Sequence, residues 1–259
     1  MRRRRGLAPE VAEYAPPPAR RIAPGWLPPG RRVYAVGDVH GEAAALREVF
    51  ARIAADLGAR PAAAEIVLLG DYIGHGPDSA GVLDLLAAGG PAPLVALRGD
   101  HDQRLLDALA GSAPDGTDFR ADGGAGALAQ WGIPAGLPPA RWAEHIPPAQ
   151  RAFLRATRLW HRAGGYLFVH AGVRPGVTLA RQIRADLLTI RHPFLTAEAA
   201  LGAAVIHGHS PVPAPEITAH RVNLDTGAGL GGALTWAVLE GETIACFATP
   251  TSGNGIGRA

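Results

Sequence analysis

The sequence predicts one α/β domain, in which short buried strands alternate with helices. The chain has 259 residues, 47% of them hydrophobic, which is enough for a single domain with a substantial core. From Val33 onward, short apolar runs end in glycine-containing polar turns and are separated by helical stretches. This alternation is typical of strand–loop–helix units.

Eight apolar runs are predicted to be strands. Five are followed closely by an aspartate or a histidine, and they lie at residues 33–36, 66–69, 94–97, 167–169 and 203–206. A sixth lies at 222–224, and the last two, at 233–239 and 243–248, are predicted to form an antiparallel hairpin that closes a sheet. The clearest helix follows the first strand. Its apolar stripe consists of Leu46, Val49, Phe50, Ile53, Ala54 and Leu57.

The rest of the chain divides into three segments by composition. Residues 1–30 are rich in arginine, proline and alanine and are expected to be a disordered lead-in outside the fold. Residues 31–248 are expected to form the single domain, in which the segment 111–148 forms a cap or long connection beside the site. Residues 249–259 are expected to be a disordered tail.

The basic residues are concentrated near the start of the chain. The first 32 residues carry a net charge of +6, so a chain of formal charge +2 leaves −4 for the remainder. Blocks of like charge are usually solvated. Because no aromatic residues or recognition motif accompany the arginines, nucleic acid is not an expected partner.

The sequence gives no sign of export or of a membrane span. Arg2–Arg5 are followed by Pro9, Glu10 and Glu13 rather than by an apolar run, and no stretch of about 18 apolar residues occurs. Cys246 is the only cysteine, which excludes an intrachain disulfide and fits a reducing cytoplasm. A cytoplasmic location is therefore expected.

Candidate metal ligands follow the five strands described above. The strand endings read Gly37-Asp38-Val39-His40-Gly41, Gly70-Asp71-Tyr72, Arg98-Gly99-Asp100-His101-Asp102, His170-Ala171-Gly172 and His207-Gly208-His209-Ser210. The carboxyl ends of the strands of an open α/β sheet lie along one edge, so these loops can converge. Any one ending alone would be an ordinary turn or a structural histidine. Five together favour a site for borderline divalent metals such as manganese, iron or zinc.

The order and residues of these segments resemble the phosphoprotein-phosphatase branch of the calcineurin-like metallophosphoesterases, whose motifs read GDxHG, GDxxDRG, GNHE, HAG or HGG, and GHT. The resemblance covers about residues 33–248, and Gly76-Pro77-Asp78-Ser79 matches the sequence common after the second motif in bacterial members. It implies an αββα sandwich with a dinuclear metal site at the carboxyl ends of the strands.

The resemblance also implies which residues bind the two divalent ions, expected to be manganese with iron or zinc as alternatives. One ion would be held by Asp38, His40 and Asp71, and the other by Asp71, Asp100, His170 and His209. Asp71 would bridge the two ions, and His207 is expected to be structural.

Three further roles follow from the resemblance. His101 would protonate the leaving alkoxide, while Arg98 and Arg191 match phosphate-contacting arginines. The implied reaction is hydrolysis of a phosphoric monoester by in-line attack of a metal-activated water, without a covalent intermediate.

Two motifs depart from the family pattern. Gly74 and His75 replace an aspartate that orients the catalytic histidine and an arginine that binds phosphate, and His75 could replace that arginine only when protonated. Asp100 places a carboxylate where the family has a neutral asparagine, which is expected to make the centre less positive and less able to attract phosphate. We therefore expect slower turnover than in a member with intact motifs.

The sequence leaves the substrate open. The leading interpretation is a serine/threonine protein phosphatase or a phosphatase of a small phosphate ester. The alternatives are a catalytically weakened protein that binds metal and a phosphorylated partner, and a hydrolase of dinucleoside polyphosphates, which shares these motifs. A doubly wound nucleotide-binding protein is disfavoured because no Gly-x-Gly-x-x-Gly follows the first strand. The oligomeric state is not indicated.

Overall fold

Two β-sheets that pack face to face form the centre of the protein. The computed structural model describes residues 18–113, 116–198 and 202–253. In these residues one hydrophobic core lies between the two sheets. A second core lies between the first sheet and the helices that cover it, and a third between the second sheet and the helix and turns on its outer face. The predicted αββα sandwich is confirmed.

The elements occur in the following order. The strands are β1 Arg21–Ile22, β2 Arg31–Val36, β3 Ala63–Leu68, β4 Leu94–Ala96, β5 Trp160–Ala163, β6 Tyr166–Val169, β7 Ala204–His207, β8 Glu216–Ile217, β9 Arg221–Asn223, β10 Leu234–Glu240 and β11 Thr243–Thr249. The helices are α1 Ala43–Ala59, α2 Ser79–Ala88, α3 Asp100–Leu109, α4 Thr117–Phe119, α5 Ala125–Gln130, α6 Pro148–Ala156 and α7 Arg184–Thr189. Within the described residues, no helix combines the length and the hydrophobicity needed to cross a bilayer.

Each sheet contains three neighbouring parallel strands, which lie at one side of the first sheet and in the middle of the second. The first has the strand order β1-β11-β10-β2-β3-β4, and the second β5-β6-β7-β9-β8. Strands β2, β3 and β4 are parallel, as are β6, β7 and β9. All eight predicted strands are present, and β10 and β11 form the predicted hairpin. Parallel strands end at a common edge, which brings the loops after them together.

The period-two alternation of β2 explains how the first sheet contacts two cores. Val33 and Ala35 point into the core between the sheets, whereas Tyr34 and Val36 point toward the helices. Successive strand side chains point to opposite faces, so a strand covered on both sides needs apolar residues at every position.

The lead-in joins the fold from residue 18 onward. β1 pairs with β11, and the Ala23 backbone N–H donates to Glu242 at 2.9 Å. Leu27 is buried in the core between the sheets. The expectation that the whole of 1–30 stays outside the fold is therefore wrong for 18–30, while residues 1–17 lie outside the described part.

The expected tail also begins later than predicted. Thr249 completes β11, and the Thr251 hydroxyl donates to the Gly232 carbonyl at 2.7 Å. Ser252 donates to Glu42 through its backbone N–H at 3.0 Å and its hydroxyl at 2.9 Å. The prediction of disorder from 249 is thus wrong as far as 252, and residues 254–259 are not described.

The segment 111–148 contains short helices that pack on α2 and α3, apart from residues 114 and 115, which are not described. Phe119 and Trp142 anchor it in the core, with ring centroids 6.1 Å apart. Asp122, between them, reaches the loops at the strand ends. The segment therefore lies beside these loops, and its role as a cap stays a prediction.

Candidate metal centre

All six predicted metal ligands follow the carboxyl ends of β2, β3, β4, β6 and β7, five of them in loops and Asp100 as the first residue of α3, and all six are buried. They are Asp38, His40, Asp71, Asp100, His170 and His209. The loops come from both sheets, so the site lies where the edges of the two sheets meet.

The six side chains form two donor sets that share one residue. In the first set, Asp38, His40 and Asp71 offer donor atoms within 4.8 Å of one another. The second set meets the same limit and consists of Asp71, Asp100, His170 and His209. Two sets with a common carboxylate have the composition needed for a dinuclear centre with Asp71 between the ions.

Backbone carbonyls orient two of the imidazoles. His40 Nδ1 lies 3.2 Å from the Ile73 carbonyl, and His40 Nε2 faces Asp71 at 3.4 Å. His170 Nδ1 lies 2.9 Å from the Leu69 carbonyl, and its Nε2 faces Asp100 at 3.1 Å. An imidazole held at one nitrogen by a carbonyl and free to bind at the other is typical of metal-ligating histidines.

The backbone is strained at three of these residues. His40, Asp71 and His209 have φ of 43°, 49° and 63°, and they are the non-glycine residues with positive φ in the described part of the chain. Such conformations cost about 1–3 kcal/mol each and cluster at functional sites. Gly99 is required nearby, because a Cβ there would collide with the Asp71 carboxylate.

The electrostatics of the six residues fit a bound cation. Burial and the neighbouring carboxylate of Asp225 raise the pKa of Asp38, and burial and Asp100 raise the pKa of Asp71. Among the described residues, Asp38 Oδ1 and His209 Nε2 are buried without a hydrogen-bond partner. A divalent ion would partner these atoms and offset the repulsion between the carboxylates.

Asp100 has a cationic partner that the sequence reading missed. Burial alone would raise the pKa of Asp100, but hydrogen bonds from His170 and His209 outweigh it and hold the pKa well below its usual value. Asp100 Oδ2 also lies 2.8 Å from Arg104 Nη2, one helical turn along α3. This guanidinium offsets part of the negative charge that Asp100 adds, and the expected lower positive charge of the centre stays a prediction. The i,i+4 spacing was the signal that could have identified Arg104.

His101 lacks the partner that the family pattern leads one to expect. Burial lowers the pKa of His101 to about 4, and its buried Nδ1 has no hydrogen-bond partner among the described residues. A Cβ on Gly74 would lie 3.0 Å from this nitrogen and 2.9 Å from His40 Nδ1, and Gly74 has a φ of +137°. Position 74 therefore faces His101 Nδ1, but glycine leaves this nitrogen without a carboxylate. Restoring Gly74→Asp would require both rings to move.

His75 and Arg191 lie at the rim of the site. The His75 ring centroid is 5.0 Å from that of His40 and 5.2 Å from that of His101. Arg191 is exposed, and its Nη2 donates to the His209 carbonyl at 3.2 Å. Both side chains therefore border the donor sets.

Arg98 is engaged elsewhere. Its Nε donates to Thr157 Oγ1 at 2.8 Å and its Nη1 to Gln103 Oε1 at 3.0 Å. Its Nη2 donates to three carbonyls at the end of α6, those of Leu154, Arg155 and Thr157. Arg98 thus ties the end of α6 to the loop after β4, and its contact with phosphate stays a prediction.

Asp102 is a second residue whose role the sequence reading did not identify. It is fully buried, and its carboxylate accepts backbone N–H groups from Gly99 at 2.9 Å, Asp71 at 3.0 Å and Tyr72 at 3.1 Å. Burial raises its pKa to about 6. Asp102 thus fixes the loops that carry Asp71 and Asp100.

His207 and Asp225 flank the donor sets. His207 is fully buried, contacts the Phe194 ring at a centroid distance of 5.0 Å, and belongs to neither donor set. This position agrees with the structural role expected for it. Asp225 was not identified from the sequence, although it follows the predicted strand at 222–224 as the other aspartates follow theirs.

Comparisons with known proteins identify relatives of this chain. The family model described as calcineurin-like phosphoesterase matches residues 31–229. Serine/threonine-protein phosphatase 1 of Salmonella typhimurium (strain LT2) is 31% identical over 221 residues, which are 81% of this chain and 93% of that protein. A symmetrical bis(5'-nucleosyl)-tetraphosphatase of Acidovorax sp. (strain JS42) is 34% identical over 148 residues, 55% of this chain but only 44% of that protein.

A solved structure supports the fold alone. Its protein, provisionally described as a diadenosine tetraphosphatase, has a TM-score of 0.63 and 23% sequence identity, over 86% of this chain and 95% of that one.

The role of Asp102 leads to a prediction about stability. Asp102→Asn places amide hydrogens against backbone donors, so we expect the free energy of unfolding to fall by about 2–4 kcal/mol. Urea denaturation of the metal-free protein measures this, with the exposed Asp118→Asn as the matched control. A loss no larger than that of the control would show that the three backbone contacts of Asp102 contribute little.

Proposed function

This chain belongs to the calcineurin-like phosphoesterase family, and from that premise we propose that it hydrolyses phosphoric monoesters at a dinuclear metal centre, most specifically as a serine/threonine protein phosphatase. The observation that carries the proposal is the pair of buried donor sets that share Asp71. We propose manganese as the working metal, because mixed carboxylate and imidazole donors suit it. We place the protein in the cytoplasm because Cys246 is its sole cysteine.

The residues of the centre divide the work of catalysis. When bound, two divalent ions supply a water of lowered pKa and hold the phosphoryl oxygens. Asp38, His40, Asp71, Asp100, His170 and His209 would hold these ions. Arg191 and His75 at the rim would bind the phosphoryl group, and His101 would protonate the leaving oxygen.

The missing partner of His101 Nδ1 supports slow turnover. A histidine contributes most as an acid through one nitrogen when a second group fixes the ring at the other, and Gly74 offers no such group to Nδ1. The alternative hypothesis for the same site is a catalytically weakened protein that binds metal and a phosphorylated partner. The two hypotheses differ in whether the protein shows turnover that depends on the metal ligands.

The substrate proposal rests on how much of each relative the chain matches. The Salmonella serine/threonine-protein phosphatase is matched over nearly its whole length, whereas the tetraphosphatase match leaves more than half of that enzyme without a counterpart. A phosphorylated protein is thus the favoured substrate. A dinucleoside polyphosphate is the second candidate, because the tetraphosphatase identity over the shared region is as high.

The first prediction from the proposed function concerns activity. Purified protein with manganese should hydrolyse phosphoserine peptides faster than dinucleoside tetraphosphates, and Asp38→Ala should lower kcat by at least about 10³-fold, because one ion loses a buried ligand. Release of inorganic phosphate measures both rates. Turnover that is absent in the wild-type protein would favour the binding protein, and turnover retained in Asp38→Ala would exclude this centre as its source.

A second prediction concerns metal content. The wild-type chain should bind two manganese ions, Asp38→Asn one, and Asp71→Asn fewer than one, because only Asp71 belongs to both donor sets. Elemental analysis after gel filtration gives the ratio. If Asp71→Asn and Asp38→Asn lose the same amount of metal, Asp71 does not bridge.

A third prediction concerns His101. A full general acid contributes about 10²–10⁴-fold, so an unsupported His101 should contribute less, and His101→Asn should lower kcat for phosphoserine peptide by under about 10²-fold. The exposed His145→Asn serves as the control. A loss of 10³-fold or more would mean that Gly74 has not weakened the acid.

A further inference from the structure

The carboxylate of Asp122 lies among three nitrogen donors at the mouth of the metal centre. Its Oδ2 is 2.5 Å from Arg104 Nη1 and 3.3 Å from His101 Nε2. Its Oδ1 is 3.6 Å from His75 Nε2. These donors come from α3 and from the loop after β3, whereas Asp122 comes from the segment between α4 and α5. The Asp122 carboxylate therefore faces nitrogen atoms that all belong to other segments of the chain.

The donors lie directly beside the predicted metal ligands. Arg104 contacts Asp122 with one nitrogen and Asp100 with the other. His101 Nδ1 is buried, so Nε2, the nitrogen that faces Asp122, is the one left to meet a substrate. The Asp122 carboxylate thus lies where the leaving-group side of a phosphate ester would meet His101.

The local backbone is built to aim Asp122 at these donors. Asp122 has φ −111° and ψ 66°, and Gly123 has φ +75°, which breaks the helical path between α4 and α5. A Cβ on Gly123 would lie 2.5 Å from His75 Nδ1, so only glycine fits against that ring. Arg120 fixes the turn by placing its guanidinium 4.8 Å from the centre of the Trp142 ring.

We propose that Arg104, with His75 and His101, forms an anion subsite for the substrate's phosphoryl group, and that Asp122 fills this subsite until the substrate displaces it. The proposal deepens the phosphoesterase function and rests on it. Arg104 takes the part of the arginine that the second motif lacks, from a different element. A guanidinium fork matches phosphate oxygens as well as it matches a carboxylate.

Displacement of Asp122 is feasible because its side chain is 47% exposed. An ion pair that retains this much contact with water contributes little to stability. A phosphate dianion competes for the same donors and repels the carboxylate, which can turn into solvent. Asp122 should therefore lower the affinity for phosphate moderately, without blocking the site.

The two residues make predictions of opposite sign. Inorganic phosphate is titrated into manganese-saturated protein by calorimetry, with metal content checked in each variant. Asp122→Asn should tighten phosphate binding about 3–10-fold, because the internal competitor loses its charge. Arg104→Gln should weaken it about 10-fold or more, because a charged donor is lost. Asp118→Asn, also exposed on this segment, should leave the Kd unchanged.

Tighter binding in Asp122→Asn cannot arise from misfolding, so this variant keeps the proposal testable if Arg104→Gln fails to fold. An unchanged or weaker affinity in Asp122→Asn would overturn the placeholder role, and an unchanged affinity in folded Arg104→Gln would overturn the subsite. Turnover by the wild-type protein distinguishes a failure of the subsite proposal from a failure of the proposed function. If the wild-type protein turns over substrate but the variants show no change in phosphate affinity, the subsite alone is rejected. If the phosphate affinities change as expected but the wild-type protein shows no turnover, the enzymatic function alone is rejected.

Discussion

The mutual repulsion of buried aspartates at one edge of the sandwich is the constraint on which the rest of the site depends. Asp38, Asp71 and Asp100 lie within the two donor sets, and Asp225 lies close enough to raise the pKa of Asp38. Buried unpaired charge is costly, so such a cluster persists only with compensating cations or donors. Divalent ions would provide that compensation, and the fold presents the carboxylates where such ions would bind.

The strands, the backbone conformation and the hydrogen bonds all help to hold the carboxylates at the candidate metal site. Parallel strands end at one edge, left-handed backbone at His40, Asp71 and His209 turns the ligands inward, and Gly99 allows close approach to Asp71. Asp102 then locks the loops together through three backbone N–H groups. The strain of the ligand loops is thus supported by hydrogen bonds that do not touch the metal position.

The charge of the site is distributed differently from the family pattern. Position 74 offers no carboxylate and position 75 no permanent cation. Arg104 on α3 pairs with the added carboxylate of Asp100, and Asp122 on the neighbouring connection pairs with Arg104. From the motifs alone, the changes at positions 74 and 75 remove a carboxylate and an arginine from the site. In the structure, Arg104 and Asp122 supply a cationic and an anionic group at the same site from other elements.

What the sequence could predict follows from the range of each interaction. Strand positions, the layer order and the convergence of the six ligands depend on local pattern and on motif order, and these were predicted. The direction of the Arg98 side chain depends on the end of α6, 56 to 59 residues away, so motif order could not predict its contacts there. Asp122 was not identified from the sequence because its contacts with His75, His101 and Arg104 join segments that are distant along the chain. β1 is two residues long in a proline-rich stretch, where no periodicity can appear.

Anomalous X-ray diffraction from crystals of the manganese-loaded protein tests the central claim most directly. The account predicts two manganese peaks about 3.5–4 Å apart, with the Asp71 carboxylate between them and Asp100 bound to the ion that contacts His170 and His209. A single peak, or two peaks that do not share Asp71, would contradict it.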